Sequence, residues 1–306
     1  MTRSNARRQA LIALALMSLI WSFNWIVMKR ALQFIGPLDF SALRTLMGTG
    51  LLFLLLAWRG EALAPPPLRA TMAIGLAQTT AFQLLVQMAL VGGGAGKMAL
   101  LAYTMPFWVI AFAWALFGER PAARQWLLLA LAAAGLVLVI EPWRSLGSWH
   151  SSALALAGGA CWGLATVMTK RLFQRDAITP LRLTAWQSLF GAAGVALIAA
   201  FVPERPIDWT SELIGALAYN AVLGSAIAWA LWLVVVERLP AAIAGIASLA
   251  TPLLGVLLAW WLLDERPDAA EAIGIALIAT ALAGVLLWRA PAQRRPNAAD
   301  NPVASG

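Results

Sequence analysis

Hydrophobic positions in this chain come in long unbroken blocks, not in stripes at helix or strand spacing. Ten blocks stand out, near 11–32, 38–58, 69–91, 95–117 and 123–140, and again near 152–172, 181–202, 211–236, 240–262 and 269–289. Each is close to the roughly 20 residues that an α-helix needs to cross a bilayer. Polar residues collect in the short joints. Pro65-Pro66-Pro67 and Pro203-Glu204-Arg205-Pro206 punctuate two of these joints, since proline stiffens a loop and resists helix continuation. The pattern predicts an all-α integral membrane protein with ten transmembrane helices and no soluble domain.

The blocks form two copies. Trp21 and Met28-Lys29-Arg30 return 141 positions later as Trp162 and Thr169-Lys170-Arg171. Pro37-Leu38 and Gly48 return 143 positions later as Pro180-Leu181 and Gly191. Pro106 and Gly118-Glu119-Arg120-Pro121 return 146 positions later as Pro252 and Asp264-Glu265-Arg266-Pro267. Five spans per copy is an odd number, so the second copy must enter the membrane from the opposite side. The expected architecture is two inverted five-helix repeats around a central cavity, over residues 8–141 and 151–290, with 291–306 a disordered cytoplasmic tail. Many secondary transporters are built this way, with the substrate site between the repeats near the bilayer midplane.

Composition agrees with lipid as the solvent. The chain is 61% hydrophobic and 12% charged, against about 45–50% and about 25% in soluble domains. With the N-terminus inside, most Lys and Arg fall on the inner face, among them Arg7, Arg8, Arg120, Arg124, Lys170, Arg171 and Arg175. That bias places both termini in the cytoplasm. The net charge of +8 is then an orientation signal. Its dispersal over loops argues against a nucleic-acid partner. The first apolar block runs on without a cleavage pattern and reads as a retained helix, not a signal peptide. Cys161 and His150 are the single cysteine and histidine. No disulfide, metal cluster, Ser–His pair or cofactor motif can be assembled from them, so neither a metal, a cofactor nor an enzyme activity is expected.

Every Asp and Glu falls in a loop, the tail or a helix end of this topology. Exporters of cationic drugs commonly use a membrane-embedded acid; none is found here, and proton coupling has no evident carrier. The interior instead offers neutral polar and aromatic groups. Gln78, Thr79 and Phe82 share one face of the third span if it is α-helical, and Thr80, Gln83 and Gln87 another. Either stripe can line a cavity or tie helices together. Trp21 and Trp162 occupy matching positions, with Asn24 one turn from Trp21, and Tyr103 stands one turn before Pro106. The candidate substrate-binding set is Trp21, Asn24, Gln78, Thr79, Phe82, Tyr103 and Trp162. Pro106 and Pro252 each remove a backbone hydrogen bond from mid-helix and are candidate hinges.

The Trp-rich first helix of each copy, the proline in each fourth helix and the Glu-Arg-Pro elements after it carry a family resemblance. On these residues the chain resembles the EamA units of the drug/metabolite transporter superfamily, over about residues 8–290. Within it the chain is most similar to the aromatic amino-acid exporter branch (YddG type). The resemblance implies a ten-helix basket: helices one to four and six to nine surround the cavity, and five and ten sit at the periphery. It also favours the Gln78/Phe82 face. The expectation is a bacterial inner-membrane exporter of aromatic and other neutral amino acids and related metabolites. It would work by alternating access, as a monomer in the lipid bilayer. For the carboxylate end of an amino acid, Arg44 and Lys97 are the only basic groups near the outer half of the first copy, and their ordinary reading is interfacial snorkelling. The alternative is a multidrug or other small-metabolite permease of the same superfamily.

Overall fold

The computed structural model describes residues 3–119, 122–140, 149–255 and 269–286. Among these every regular element is helical. Lipid offers no partner for backbone N–H and C=O groups, and a helix satisfies them within one segment. Seven helices are long and apolar enough to cross a membrane: Asn5–Ala31, Pro37–Trp58, Leu68–Gly92, Met98–Phe117, Trp149–Arg175, Pro180–Phe201 and Ser211–Arg238. Shorter apolar helices, Ala123–Leu138, Ile243–Gly255 and Ala272–Ala281, fall within the remaining expected spans. The Arg120-Pro121 and Asp264-Glu265-Arg266-Pro267 elements, Trp260, Trp261 and the tail lie outside the described residues.

In chain order the elements are α1 (Arg3–Ala31), α2 (Pro37–Trp58), α3 (Leu68–Gly75), π1 (Leu76–Ala81), α4 (Phe82–Gly92), α5 (Ala95–Ala102), α6 (Met105–Phe117) and α7 (Ala123–Ile140). They continue as α8 (Trp149–Arg175), α9 (Pro180–Phe201), α10 (Ser211–Tyr219), π2 (Asn220–Ile227), α11 (Ala228–Arg238), α12 (Ala241–Ser248) and α13 (Ala269–Leu286). α1 packs on α11, α2 on α9 and π2, and α8 on α4, α5 and α6. α7 packs chiefly on α13.

Two features differ from a plain reading of the spans. The third span of each copy changes from α to π winding at its middle, in π1 and π2, a bulge often found at functional sites. The fourth span is broken, not bent. α5 ends at Ala102, Tyr103 and Thr104 form a turn, and α6 restarts with Pro106 in its first two positions. Proline costs least there, because that N–H has no intrahelical partner in any case. The ninth span turns likewise at Leu249, three residues before Pro252.

Small residues set the closest crossings. A Cβ on Gly48 of α2 would stand 2.7 Å from the Ser225 Cβ of π2. Gly191 of α9, the counterpart of Gly48, is pressed in the same way by Thr79 of π1. Thr80 Oγ1 donates to the Gly191 carbonyl at 2.8 Å. Along α8, Gly159 faces the carbonyls of Leu101 and Ala102, and Gly163 faces the start of α6. Such small-residue seams let helix backbones approach where lipid supplies no hydrophobic drive.

Helix ends are tied by residues distant in the chain, those of α2 and α9 by residues of the other copy. Glu204, just past the end of α9, accepts from the Leu38 and Asp39 amides at the start of α2, both at 2.9 Å. Glu61, just past the end of α2, accepts from Thr179, the N-cap of α9. These contacts set α2 and α9 antiparallel. Lys29 of α1 donates to the Leu90 and Gly93 carbonyls at the end of α4, at 2.5 and 2.9 Å. Lys170 of α8 does the same to Val236 and Glu237 at the end of α11, both at 3.0 Å. In each case a cation meets the negative end of a helix dipole.

Candidate functional site

α1, α2, α4, α8, π2 and α11 converge on an aromatic cavity of about 30 Å³. α1 supplies Trp21, Asn24, Trp25 and Met28; α2 supplies Arg44; α4 supplies Phe82, Gln83 and Val86. Tyr103 comes from the turn after α5, Trp162 from α8, Gly224 from π2 and Trp229 from α11. This space holds a water or two, far below the roughly 300 Å³ of a small-ligand pocket. The walls must part before a ligand the size of an amino acid enters.

Trp162 is the centre of the cluster and is 1% exposed. Its ring meets Phe82 at a centroid distance of 5.2 Å, Tyr103 at 5.3 Å, Trp232 at 5.4 Å, Trp21 at 5.5 Å and Trp229 at 5.9 Å. Most of these pairs are edge-to-face, the geometry favoured by the ring quadrupole. Gly224 packs closely beside them: a Cβ there would stand 3.0 Å from Asn24 Oδ1.

Polar groups in the wall are incompletely satisfied. Asn24 Oδ1, Arg44 Nε and Trp162 Nε1 are buried with no hydrogen-bond partner among the described residues. Buried donors and acceptors are normally paired, so unpaired ones call for an explanation. Two are donors and one is an acceptor, and all three belong to residues of the same cavity wall.

Arg44 does not snorkel. It is 2% exposed, because Gln83 Oε1 and Asn220 Oδ1 accept from its two terminal nitrogens, the latter at 3.4 Å. Its guanidinium also lies over the Phe40 ring, 5.6 Å from the centroid. Asn220 is held in turn by donating to the Ala216 carbonyl at 3.1 Å. Among the described residues Arg44 is the only charged side chain in the buried set. The Lys97 side chain lies outside the described residues.

The structure brings Trp21, Asn24, Phe82, Tyr103 and Trp162 to the cavity and leaves Gln78 and Thr79 outside its wall. Both lie in π1, where the winding departs from α-helical spacing. Thr79 is consumed by the crossing with Gly191, and Gln78 is fully buried away from the cavity. Gln83, placed on the other stripe by α-helical spacing, lines the cavity instead. Trp229 of α11 lines it too. A signal was present, because Trp229 stands 146 positions after Gln83. The carbonyl freed by Pro106, that of Ala102, faces Gly159 of α8 and not the cavity.

A wider recess of about 460 Å³ begins where the cavity wall ends, next to Met28 and one turn beyond Val86. Lys29, Leu90, Glu204 and Arg205 are in its lining. Arg205 is fixed there by donating to the Leu32 and Ile35 carbonyls.

Comparison with known proteins places this geometry in a family. Residues 8–141 and 150–287 each match the model of the EamA-like transporter family. The uncharacterized transporter YoaV of Bacillus subtilis (strain 168) is 25% identical over 84% of this chain and 90% of its own. A probable amino-acid metabolite efflux pump of Escherichia coli (strain K12) is 27% identical over 85% of this chain and 89% of its own. The uncharacterized inner membrane transporter YedA of the same organism is 27% identical over 83% and 82%. A crystal structure aligns with a TM-score of 0.73 at 23% identity, over 93% of this chain and 98% of that one, which is a likeness of fold. The two matched stretches take in nearly all of the chain, and the protein belongs to the EamA-like transporter family.

Proposed function

We propose that this protein exports amino acids, aromatic and other neutral ones, and related metabolites across the bacterial inner membrane by alternating access. The observation that carries the reading is the cavity itself. The rings of Trp21, Phe82, Tyr103, Trp162 and Trp229 share its wall with Asn24 and Arg44, and Asn24 Oδ1, Arg44 Nε and Trp162 Nε1 have no partner among the described residues. An amino acid supplies the complement: an apolar side chain, a carboxylate that accepts and an ammonium that donates. The efflux-pump relative named above supports the same class. No Asp or Glu lines the cavity among the described residues, which weighs against an organic-cation permease of the same superfamily.

The machine that moves is read as ten helices in two inverted five-helix units, residues 8–141 and 151–290, with both termini cytoplasmic. The antiparallel pair α2 and α9, the matched lysines Lys29 and Lys170, and the matched π segments support that reading. The turns before Pro106 and Pro252 are its proposed hinges, and opening there would enlarge the cavity to substrate size.

The test is uptake of a panel of labelled amino acids into liposomes holding the purified full-length protein. Saturable flux of aromatic and other neutral amino acids is expected. Flux of an organic cation with none of any amino acid overturns the reading.

A further inference from the structure

We propose that Arg44 is the receptor for a substrate carboxylate, and that the cavity takes aromatic carboxylates whether or not they carry an α-ammonium group. The inference deepens the transport reading above, since it uses the same cavity.

The argument begins with an uncompensated charge. A guanidinium stays protonated in proteins, and burying one without a counter-charge is costly. Arg44 is buried, yet both of its partners, Gln83 and Asn220, are neutral amides. Neutral acceptors orient the guanidinium without cancelling its charge. The Nε donor has no partner at all among the described residues. The buried set contains no Asp or Glu among the described residues, so the protein's described interior offers no anion to match it. A carboxylate seated in the cavity would gain a charge-assisted hydrogen bond from Nε, the strong class of such bonds. Trp162 Nε1, equally unpaired, is a second donor in the same wall.

The other end of an amino acid meets much less. For an ammonium the wall offers no opposite charge among the described residues, only the amide oxygen of Asn24, a neutral dipole, and the faces of the aromatic rings. The Ala102 carbonyl, freed by Pro106, is turned toward Gly159. The recess beside the cavity has the same sign as the cavity. Among the described residues it holds two cations, Lys29 and Arg205, against the one carboxylate of Glu204. Recognition is therefore weighted toward the anion: a full charge for the carboxylate, a dipole and ring faces for the amine.

Binding to the purified full-length protein, followed by quenching of the intrinsic tryptophan fluorescence, tests this with three probes. They are 3-phenylpropionate, phenethylamine and L-phenylalanine. 3-Phenylpropionate, which lacks the amine, is expected to bind at least about tenfold tighter than phenethylamine, which lacks the carboxylate. Losing one hydrogen bond to a charged group is worth about ten- to hundredfold in affinity. Arg44→Lys, which keeps the charge but loses the planar fork, should weaken 3-phenylpropionate by that factor and leave phenethylamine unchanged. The wild-type comparison stands by itself if the variant is poorly folded. Phenethylamine binding as tightly as 3-phenylpropionate, or no binding of 3-phenylpropionate, overturns the proposal. The amino-acid reading fails separately: L-phenylalanine neither binding nor moving while 3-phenylpropionate binds would remove it and leave Arg44 in its role.

Discussion

The indole nitrogen of Trp21 donates to the carbonyl of Gly224 at 3.2 Å. This bond joins the first helix of one copy to the π segment of the other. Its counterpart is missing: Trp162 holds the matching place in the second copy, and its indole nitrogen is unpaired. Two tryptophans that look equivalent in the sequence thus differ in what their N–H groups do.

That difference predicts opposite outcomes for the same substitution. Trp21→Phe leaves the Gly224 carbonyl buried and unpaired, at a cost of about 1–3 kcal/mol. It should lower the thermal midpoint of the detergent-solubilised protein. Trp162→Phe removes a donor that has no partner, so stability should change less. Transport in liposomes should nevertheless fall in Trp162→Phe, because a donor for the substrate is gone. Wild-type flux in Trp162→Phe would return that residue to packing alone.

Gln78 and Gln83 should separate in the same way. Both amide atoms of Gln78 are buried without a partner. Gln78→Met keeps the shape and relieves about 1–3 kcal/mol of unpaired desolvation. A raised thermal midpoint with flux within about twofold of wild type is expected. Gln83→Met unties Arg44 and changes the cavity wall, and flux should drop about tenfold. Equal losses of flux in both variants would place Gln78 back at the substrate.

The crossing of π1 with α9 predicts a sharp contrast between glycines. Gly191→Ala drives a methyl into Thr79 and should cost about 1–3 kcal/mol, the usual range for overpacking. Gly50→Ala, on α2 with nothing within 4 Å of the new methyl, should be neutral or stabilising by up to about 1 kcal/mol. Thermal unfolding of the two variants side by side measures this.

The matched lysines give a fourth expectation. Lys29→Met and Lys170→Met each strip the last carbonyls of a helix of their cation. Each should lower stability by about 1–2 kcal/mol, below the upper range for charged bonds because both side chains are partly exposed. The two sites share no partner, so the double variant should show the sum of the two losses. A double loss well short of that sum would mean that the two ends are coupled.

Much of the fold could be read from sequence because lipid leaves few choices. Apolar blocks of membrane length become helices, and the returns of Trp21, Pro37 and Gly48 as Trp162, Pro180 and Gly191 are visible without coordinates. The aromatic part of the cavity was legible for the same reason, since matching positions converge on it. Arg44 was not. Its reading as a snorkelling group depended on what lay nearby, and its partners are 39 and 176 positions away. Nor was the winding of residues 76–81. Leu-Ala-Gln-Thr-Thr-Ala has no local signature of a π turn, and nothing local marks Gln83 rather than Gln78 as the amide in the cavity wall. The break before Pro106 was announced by the proline itself but read as a bend, because only packing against Gly159 and Gly163 decides where the helix restarts.

The carboxylate that closes the start of α2 has a consequence for biogenesis. It belongs to Glu204, 166 positions downstream of Leu38. While the second helix is being inserted, the ribosome has yet to make the residue that completes it. The first half, released early, would expose free amides at one membrane surface until the second half arrives. Co-expression of the severed halves should therefore rescue each of them, where either alone is degraded.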